Sequence, residues 1–307
     1  MAFVERVSST RRVFVTGATG FVGRSVIQAL RAEGDVVRCL VRRGSERDLR
    51  GFGAIERVEG DVLLPETLAP AVAGCDTVVH LVGIIREHPA RDITFERLHV
   101  DGTLNVLDAA SAAGVRRFVH MSALGARAGA RARYHRTKWA AEEAVRGSAL
   151  SWTVFRPSII YGRGDEFVSM LAGMVRRLPV VPVIGDGRQR LQPVPVEQVA
   201  EAFARAVALP AAEKQSFEVG GLDAVSMIAL LDAIGATLER TRVRRAHLPL
   251  GLMRVLARLF HRLPSFPLTP DQLLMLEEDN VCDATPFFTT FGLTPIPLAT
   301  GLRRMLA

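Results

Sequence analysis

The chain is short of the residues that mark a secreted or metal-dependent protein. It has three cysteines in 307 residues, Cys39, Cys75 and Cys282, too far apart to suggest a disulfide framework or a cysteine-ligated metal. The expectation is a reducing, cytoplasmic compartment and no metal site. Long apolar runs are missing too. No segment approaches the roughly 20 apolar residues that span a bilayer, and Met1 to Thr10 lacks the apolar stretch and cleavage site of an export signal. A soluble protein is therefore expected. Trp and Tyr number two each, and no helix-turn-helix or RNA-binding signature is present, so nucleic acid is not an expected partner. The net charge of +7 suits an anionic ligand or a membrane surface, and charge alone does not choose between them.

What is present is alternation. Apolar, β-branched runs at Arg12–Thr16, Asp35–Val41, Ala54–Val58, Asp76–Val82, Arg116–Ser122 and Ser151–Arg156 read as strands. Helical periodicity fills the gaps at Phe21–Glu33, Pro65–Ala73, Ile93–Ala113 and Tyr134–Arg146. Strands this apolar, each followed by a helix, imply a Rossmann-like, doubly wound parallel sheet covered on both faces, an α/β fold. After Pro157 the rhythm breaks: Leu178–Pro195 reads as loops and short strands, Val196–Ala208 as a helix and Ser216–Val219 as a strand, and the rest is mostly helical. The division expected is a dinucleotide-binding core over 1–160 and a small, mostly helical C-terminal lobe over 161–307, with 196–235 returning to the core.

The first strand ends in Thr16-Gly17-Ala18-Thr19-Gly20-Phe21-Val22-Gly23, three glycines at three-residue spacing that open a helix. A turn of this kind lets backbone approach a pyrophosphate, whose charge then rests against unpaired N–H groups at a helix N-terminus. Gly17, Thr19, Gly20, Phe21, Val22 and Gly23 are the candidate cradle. Where NAD-selective sites carry a carboxylate, at the end of the second strand, this chain has Arg42 and Arg43. Guanidinium groups there suit a 2′-phosphate, which makes NADP(H) the preferred cofactor and NAD(H) the alternative. The bland reading is a pair of solvated loop charges. Asp61, followed by Val62, stands either to receive the adenine amino group or to cap a turn. Leu81, Val82 and Gly83 close the fourth strand and, with Pro157 and Ile160, are further cofactor candidates.

Tyr134 and Lys138 lie four positions apart on a predicted helix, so both project from one face. A phenol with a pKa of about 10 is a poor proton donor at neutral pH, and an adjacent ammonium favours its ionised form. Ser122 ends the preceding strand, where open α/β sheets present ligands. These three are the candidate catalytic residues.

Together the motifs resemble the short-chain dehydrogenase/reductase superfamily in its extended and atypical branches, the epimerase/dehydratase-like members included. Arg156-Pro157-Ser158-Ile159-Ile160-Tyr161-Gly162 is similar to that family's segment at the substrate edge, and His99-Val100-Asp101-Gly102-Thr103 to its helix-four motif. Leu268-Thr269-Pro270-Asp271-Gln272, Glu278-Asp279-Asn280-Val281 and Phe291-Gly292-Leu293-Thr294-Pro295 resemble the subgroup related to the NDUFA-nine accessory subunit of respiratory complex I. The resemblance implies that Gly17, Gly20 and Gly23 hold a pyrophosphate, Asp61 the adenine and Lys138 the nicotinamide ribose, with Tyr134 moving a proton. The chain departs from the family in having His99 where asparagine usually supports a proton-relay water.

The expected function is an oxidoreductase moving hydride to or from a small carbonyl, hydroxyl or quinone-like substrate. Alternatives are a non-catalytic NADP(H)-binding scaffold or redox sensor of a respiratory complex, and a nucleotide-sugar epimerase or dehydratase. One further stretch, 250–263, sets Arg254, Arg258, His261 and Arg262 on one helical stripe and Leu252, Val255, Leu256, Leu259, Phe260 and Leu263 on another. It reads as a peripheral membrane or respiratory-complex contact at the inner face of a membrane, or as a lobe helix packing its apolar face inward.

Overall fold

The structure, a computed structural model, describes residues 11–45, 49–240, 242–260, 266 and 268–307. Six strands come first: β1 (Arg12–Thr16), β2 (Val36–Val41), β3 (Glu56–Glu59), β4 (Thr77–His80), β5 (Arg117–Met121) and β6 (Ser151–Pro157). Next are the short β7 (Ile160–Tyr161), β8 (Val181–Ile184), β9 (Arg190–Leu191) and β10 (Val194–Pro195), then β11 (Gln215–Val219), β12 (Val225–Ser226) and β13 (Arg245–Leu248). Strands β1 to β6 and β11 form one sheet in the order β11-β6-β5-β4-β1-β2-β3. Every neighbouring pair in it is parallel. The short strands pair as β7 with β10, β9 with β12 and β8 with β13.

Parallel strands this apolar need cover on both faces, and the helices supply it. Helix α1 (Phe21–Ala32) lies on one face; α2 (Pro65–Val72), α3 (Gly102–Ala112) and α4 (Arg133–Gly147) lie on the other. Of the later helices, α5 (Phe167–Arg177) belongs to the lobe and α6 (Val196–Ala206) packs on α1. Helices α7 (Met227–Thr237), α8 (Leu250–Phe260), α9 (Pro270–Leu276), α10 (Thr285–Thr290) and α11 (Leu298–Leu306) complete the chain. Phe287, Phe288 and Phe291 join the α1 face, clustering around Phe155 and Phe217. The lobe has its own smaller cores, one built on α5, α7 and α11 and one on Met253, Ala257 and Leu273.

The strand order reverses at β1. From there the chain builds β2 and β3 to one side and β4, β5, β6 and β11 to the other, so the crevice at the carboxyl ends of β1 and β4 is the topological switch point where open α/β sheets bind ligands.

Two expectations are refined. The helix predicted over Ile93–Ala113 is present from Phe95 to Ala112, but Glu96–Asp101 within it is wound as a π-helix before α3 continues from Gly102. The turn is wider there, and the Thr103 hydroxyl donates to the His99 carbonyl at 2.6 Å. The α8 stripe, for which the sequence allowed an outward contact or an inward-packed face, divides: Leu256 packs against the small core of Met253, Ala257 and Leu273. Leu252, Val255 and Leu259 are 50%, 53% and 67% exposed, while Met253 and Ala257 are the buried positions. The expected extension through His261, Arg262 and Leu263 lies outside the described residues.

Candidate functional site

The glycine turn sits at the switch point. Gly17 has φ of +74°, and a Cβ on it would stand 2.9 Å from the Leu81 carbonyl carbon. A Cβ on Gly23 would fall 2.2 Å from the Gly17 oxygen, so helix and strand can approach this closely only without side chains. Gly20 is the N-cap of α1 and no side chain caps the helix there, which leaves its first-turn amides free for an anion. A cavity of about 210 Å³ opens in front of them. Of the sequence candidates, Gly17, Thr19, Gly20, Arg42 and Asp61 line it, as do Val62, Leu81, Val82 and Gly83.

The remaining cofactor candidates lie elsewhere. Arg43 is exposed and Val22 is buried in the core beneath α1. Phe21 turns its ring toward Gly162 and Gly164, on a separate groove of about 910 Å³ along the outer side of α1. Pro157 and Ile160 lie past the edge of the smaller cavity; the Pro157 carbonyl accepts from the Leu124 amide at 2.9 Å. Asp61 lines the cavity, and its Oδ1 accepts from the Leu63 amide at 3.0 Å, the turn-capping reading of this residue.

Beside Gly83, next to the residues that line the cavity but not among them, α4 brings Lys138, with Tyr134 one turn before it. The ammonium of Lys138 is buried and donates to the Met121 carbonyl at 3.0 Å and the Val82 carbonyl at 3.4 Å, tying it to the ends of β5 and β4. A Cβ on Gly83 would stand 2.8 Å from Lys138 Nζ and 3.7 Å from His99 Nε2, so this glycine is what lets both groups reach the crevice. Burial lowers the Lys138 pKa to about 8. The half-buried Tyr134 ring lies edge-on to His99, with centroids 5.4 Å apart, and packs on Phe95 and His135. Burial pushes its phenol up to about 12. This corrects the expectation of an ammonium-lowered phenol: desolvation dominates, because Lys138 is directed to the strand carbonyls. Ser122 is buried at the end of β5 with its hydroxyl unpartnered among the described residues.

Beneath these groups lies a layer that sequence reasoning missed, apart from His99. His80 and His120 are cross-strand partners on β4 and β5 and stack with centroids 5.5 Å apart. The Thr103 hydroxyl gives its proton to the His99 carbonyl, so it can only accept from His80 Nε2, at 3.1 Å. Burial keeps this ring neutral, so its Nδ1 accepts from the Thr16 hydroxyl at 2.7 Å. His99 reaches Thr137 through Nδ1 at 2.9 Å and the Ile84 backbone through Nε2 at 3.1 Å. Its proton sits either on Nδ1, donating to Thr137, or on Nε2, donating to the Ile84 carbonyl, and each tautomer sets the direction of the Thr137 hydroxyl. Burial, and then the charge of Lys138, lowers His80 to about 3 and His99 to about 2. His120 is lowered well below the ordinary value by burial, then by His80 and Lys138, and neither of its ring nitrogens has a hydrogen-bond partner among the described residues. The signal was visible: one histidine interrupts each of two apolar strands, in Val78-Val79-His80-Leu81 and Phe118-Val119-His120-Met121.

Residues 13–220 match the NAD dependent epimerase/dehydratase family. The chain belongs to that family. It is 36% identical over 188 residues to ceramide reductase of Caulobacter vibrioides, an alignment that spans 61% of this chain and 58% of that protein. It is 30% identical over 279 residues to NADH dehydrogenase (ubiquinone) 1 alpha subcomplex subunit 9 of Arabidopsis thaliana, covering 87% of this chain and 68% of that one. Among solved structures, a UDP-glucose 4-epimerase of Thermotoga maritima with UDP-glucose superposes with a TM-score of 0.74 at 20% identity, over 96% of this chain and 97% of that one.

Within the family's fold one expected substrate-edge residue has a structural task instead. Arg156 donates to the buried Glu142 carboxylate at 2.6, 2.9 and 3.1 Å and lies over Trp139, tying β6 to α4. Its guanidinium is committed to that pair. Among the described residues no group of three or more His, Cys, Asp or Glu side chains could hold a metal, and no helix is long and apolar enough to cross a membrane.

Proposed function

We propose that the chain is a nicotinamide-dependent reductase of carbonyl or quinone-like compounds, with NADP(H) preferred and Tyr134 as proton donor. One observation supports this reading: Lys138, fixed by the Met121 and Val82 carbonyls and one helical turn from Tyr134 on α4, sits beside Gly83, which lines the same cavity as the glycine turn. In this reading residues 1–160 hold the dinucleotide and 161–307 shape the substrate side. Gly17, Gly20 and Gly23 with the first amides of α1 hold the diphosphate, Arg42 a 2′-phosphate, Asp61 the adenine and Lys138 the ribose hydroxyls.

A reduced nicotinamide bound there supplies hydride. The chain's task is then the proton. A phenol pushed up to about 12 keeps its proton throughout the neutral range, so in this reading Tyr134 gives it up only as hydride arrival makes the substrate oxygen a stronger base. Ser122, with its free hydroxyl, orients that oxygen, and Lys138 stays largely charged below its value of about 8. His99, beside Tyr134 and able to hold its proton on either nitrogen, takes the position of the family's asparagine in proton resupply.

The printed names of two relatives, ceramide reductase and a farnesyl-dihydroquinoline-oxide ketoreductase of Stigmatella aurantiaca, favour an amphiphilic carbonyl substrate. The solvent-facing apolar stripe of α8 fits delivery of such a substrate at a membrane surface. The subunit-9 relatives favour a second reading, a dinucleotide-binding member of a respiratory assembly with no turnover of its own. The test is NADPH oxidation against a panel of carbonyls and quinones, comparing wild type with Tyr134→Phe. The expected loss is about 10²- to 10⁴-fold. Retention of the wild-type rate ends the proton-donor role. Tight dinucleotide binding with no turnover in either protein favours the assembly reading, and retained cofactor without net oxidation favours the epimerase alternative.

A further inference from the structure

Helix α4 begins without a cap of its own. Ala132 stands at the N-cap and no neighbouring side chain receives the first amides. The acceptor comes from far along the chain: Asp271 Oδ1 accepts from the Arg133 amide at 2.7 Å and Oδ2 from the Tyr134 amide at 3.0 Å. We infer that Asp271 is a positioning residue for Tyr134, and that through it the C-terminal lobe sets where the phenol stands. The catalytic half of this inference rests on the proposed role of Tyr134; the anchoring half does not.

Asp271 is itself well held. It sits in the first turn of α9, whose start is closed by reciprocal bonds, the Thr269 amide to the Gln272 side chain at 2.9 Å and the Gln272 amide to the Thr269 hydroxyl at 3.2 Å. Past the end of α9 the same segment grips the approach to α4 again. Glu277 pairs with Arg131 at 3.0 Å and Glu278 with Arg127 at 2.7 Å, while Asn280 receives the Ser158 hydroxyl at 2.5 Å. The two motifs around Asp271 and Asn280 thus form a latch from the lobe onto the catalytic helix. From the sheet side Glu87 pairs with Arg133 at 3.0 Å, so carboxylates hold the first turn of α4 from two directions.

One turn further on, Lys138 needs none of this, because strand carbonyls hold it. The two members of the pair are therefore anchored to different bodies: the lysine to the sheet, the tyrosine through its backbone to the lobe. A substrate seated against the lobe that shifts α9 shifts Tyr134 relative to a stationary Lys138. Proton donation is in this way coupled to occupancy of the lobe.

The experiment compares full-length wild type, Asp271→Ala and Asp271→Asn by amide hydrogen exchange on peptides covering 131–138, with an α1 peptide as reference, alongside steady-state kinetics with NADPH. In Asp271→Ala the exchange of the first α4 turn rises about tenfold with α1 unchanged, since two charge-assisted caps are lost. Asp271→Asn, which keeps one side-chain acceptor, falls in between. kcat drops about tenfold in Asp271→Ala while the KM for NADPH stays within about twofold, because the glycine turn is untouched. Unchanged exchange at 131–138, or an equal rise in α1, overturns the inference. So does a fall in kcat matched by an equal loss of NADPH affinity. If Asp271→Ala does not fold, Asp271→Asn carries the same comparison. If wild type turns over nothing, the proton-donor role fails, and the exchange result still decides the anchoring.

Discussion

The two parts of the molecule that meet at α4 handle polar groups in opposite ways. The sheet takes many of them inside: His80, His99, His120 and Ser122 are all nearly inaccessible, the buried ammonium of Lys138 is met by carbonyls, and the buried Arg117 and Glu142 are paired with Glu213 and Arg156. The lobe keeps most of its charges at the periphery and pairs some across the junction, as in Arg127 with Glu278 and Arg131 with Glu277, with Arg254 of the lobe sharing Glu277. Groups held by burial respond to pH and to volume, and exposed pairs respond to salt. The sheet side is therefore rigid and acid-sensitive, and the lobe side adjustable and salt-sensitive.

The largest effect that would break this contrast is volume in the glycine turn. Gly23→Ala puts a methyl group 2.2 Å from the Gly17 oxygen, with backbone on every side. Calorimetry is expected to show dinucleotide affinity reduced by about 10²-fold or more, and thermal melting a loss of about 3 kcal/mol. Unchanged affinity would mean that the turn does not hold the diphosphate.

Acid comes second. Because the folded-state pKa values of the three buried histidines lie below the unfolded value of about 6.5, the unfolded chain binds the extra protons as pH falls. Stability is thus fully present above about 6.5 and is lost below it, by about 1.4 kcal/mol per pH unit per ring, or roughly 4 kcal/mol at pH 5.5 for all three. His120→Phe removes the ring that has no partner, so its melting temperature should fall less steeply between pH 7 and 5.5. An identical slope would show that His120 binds protons equally in the folded and unfolded protein, which ends its part in the acid sensitivity.

The next effect sharpens the cofactor assignment. Arg42→Ala is expected to weaken NADPH binding about tenfold while leaving NADH within about twofold, measured by fluorescence titration. Equal losses would mean that Arg42 serves the diphosphate or the fold. The smallest concerns the lobe surface: Leu259→Glu, at a position 67% exposed, should leave melting unchanged and reduce co-sedimentation with anionic vesicles about threefold. No change would leave the α8 stripe without a membrane role.

Much of the fold was legible because it depends on local patterns. Three glycines at fixed spacing after an apolar strand demand one turn geometry, and the alternation of β-branched runs with helical periodicity admits only a covered parallel sheet. The relation of Tyr134 to Lys138 is equally local, since four positions on a helix fix their shared face. What escaped is long-range or depends on neighbours. Asp271 lies 137 positions from Tyr134, and nothing in Leu268–Gln272 says which helix it will cap. The His80–His120 stack depends on the register of two strands, although the repeated histidine hinted at it. The phenol's raised pKa follows from enclosure, which spacing does not report. The orientation of α8 stayed open for a related reason. A stripe of leucines does not say which way it faces until the partner surface is known, and here Met253, Leu256 and Ala257 pack on the small core while Leu252, Val255 and Leu259 stay outside.

The outward leucines of α8 also bear on how the protein behaves in a tube. At low ionic strength the +7 net charge keeps copies apart. At about 1 M salt the screening length shrinks to roughly 3 Å, and that protection is lost while the greasy ridge stays bare. The chain should then become turbid when salted out of a cation-exchange column and clear again with a mild detergent, so the conditions used to purify it decide whether one particle or many is observed.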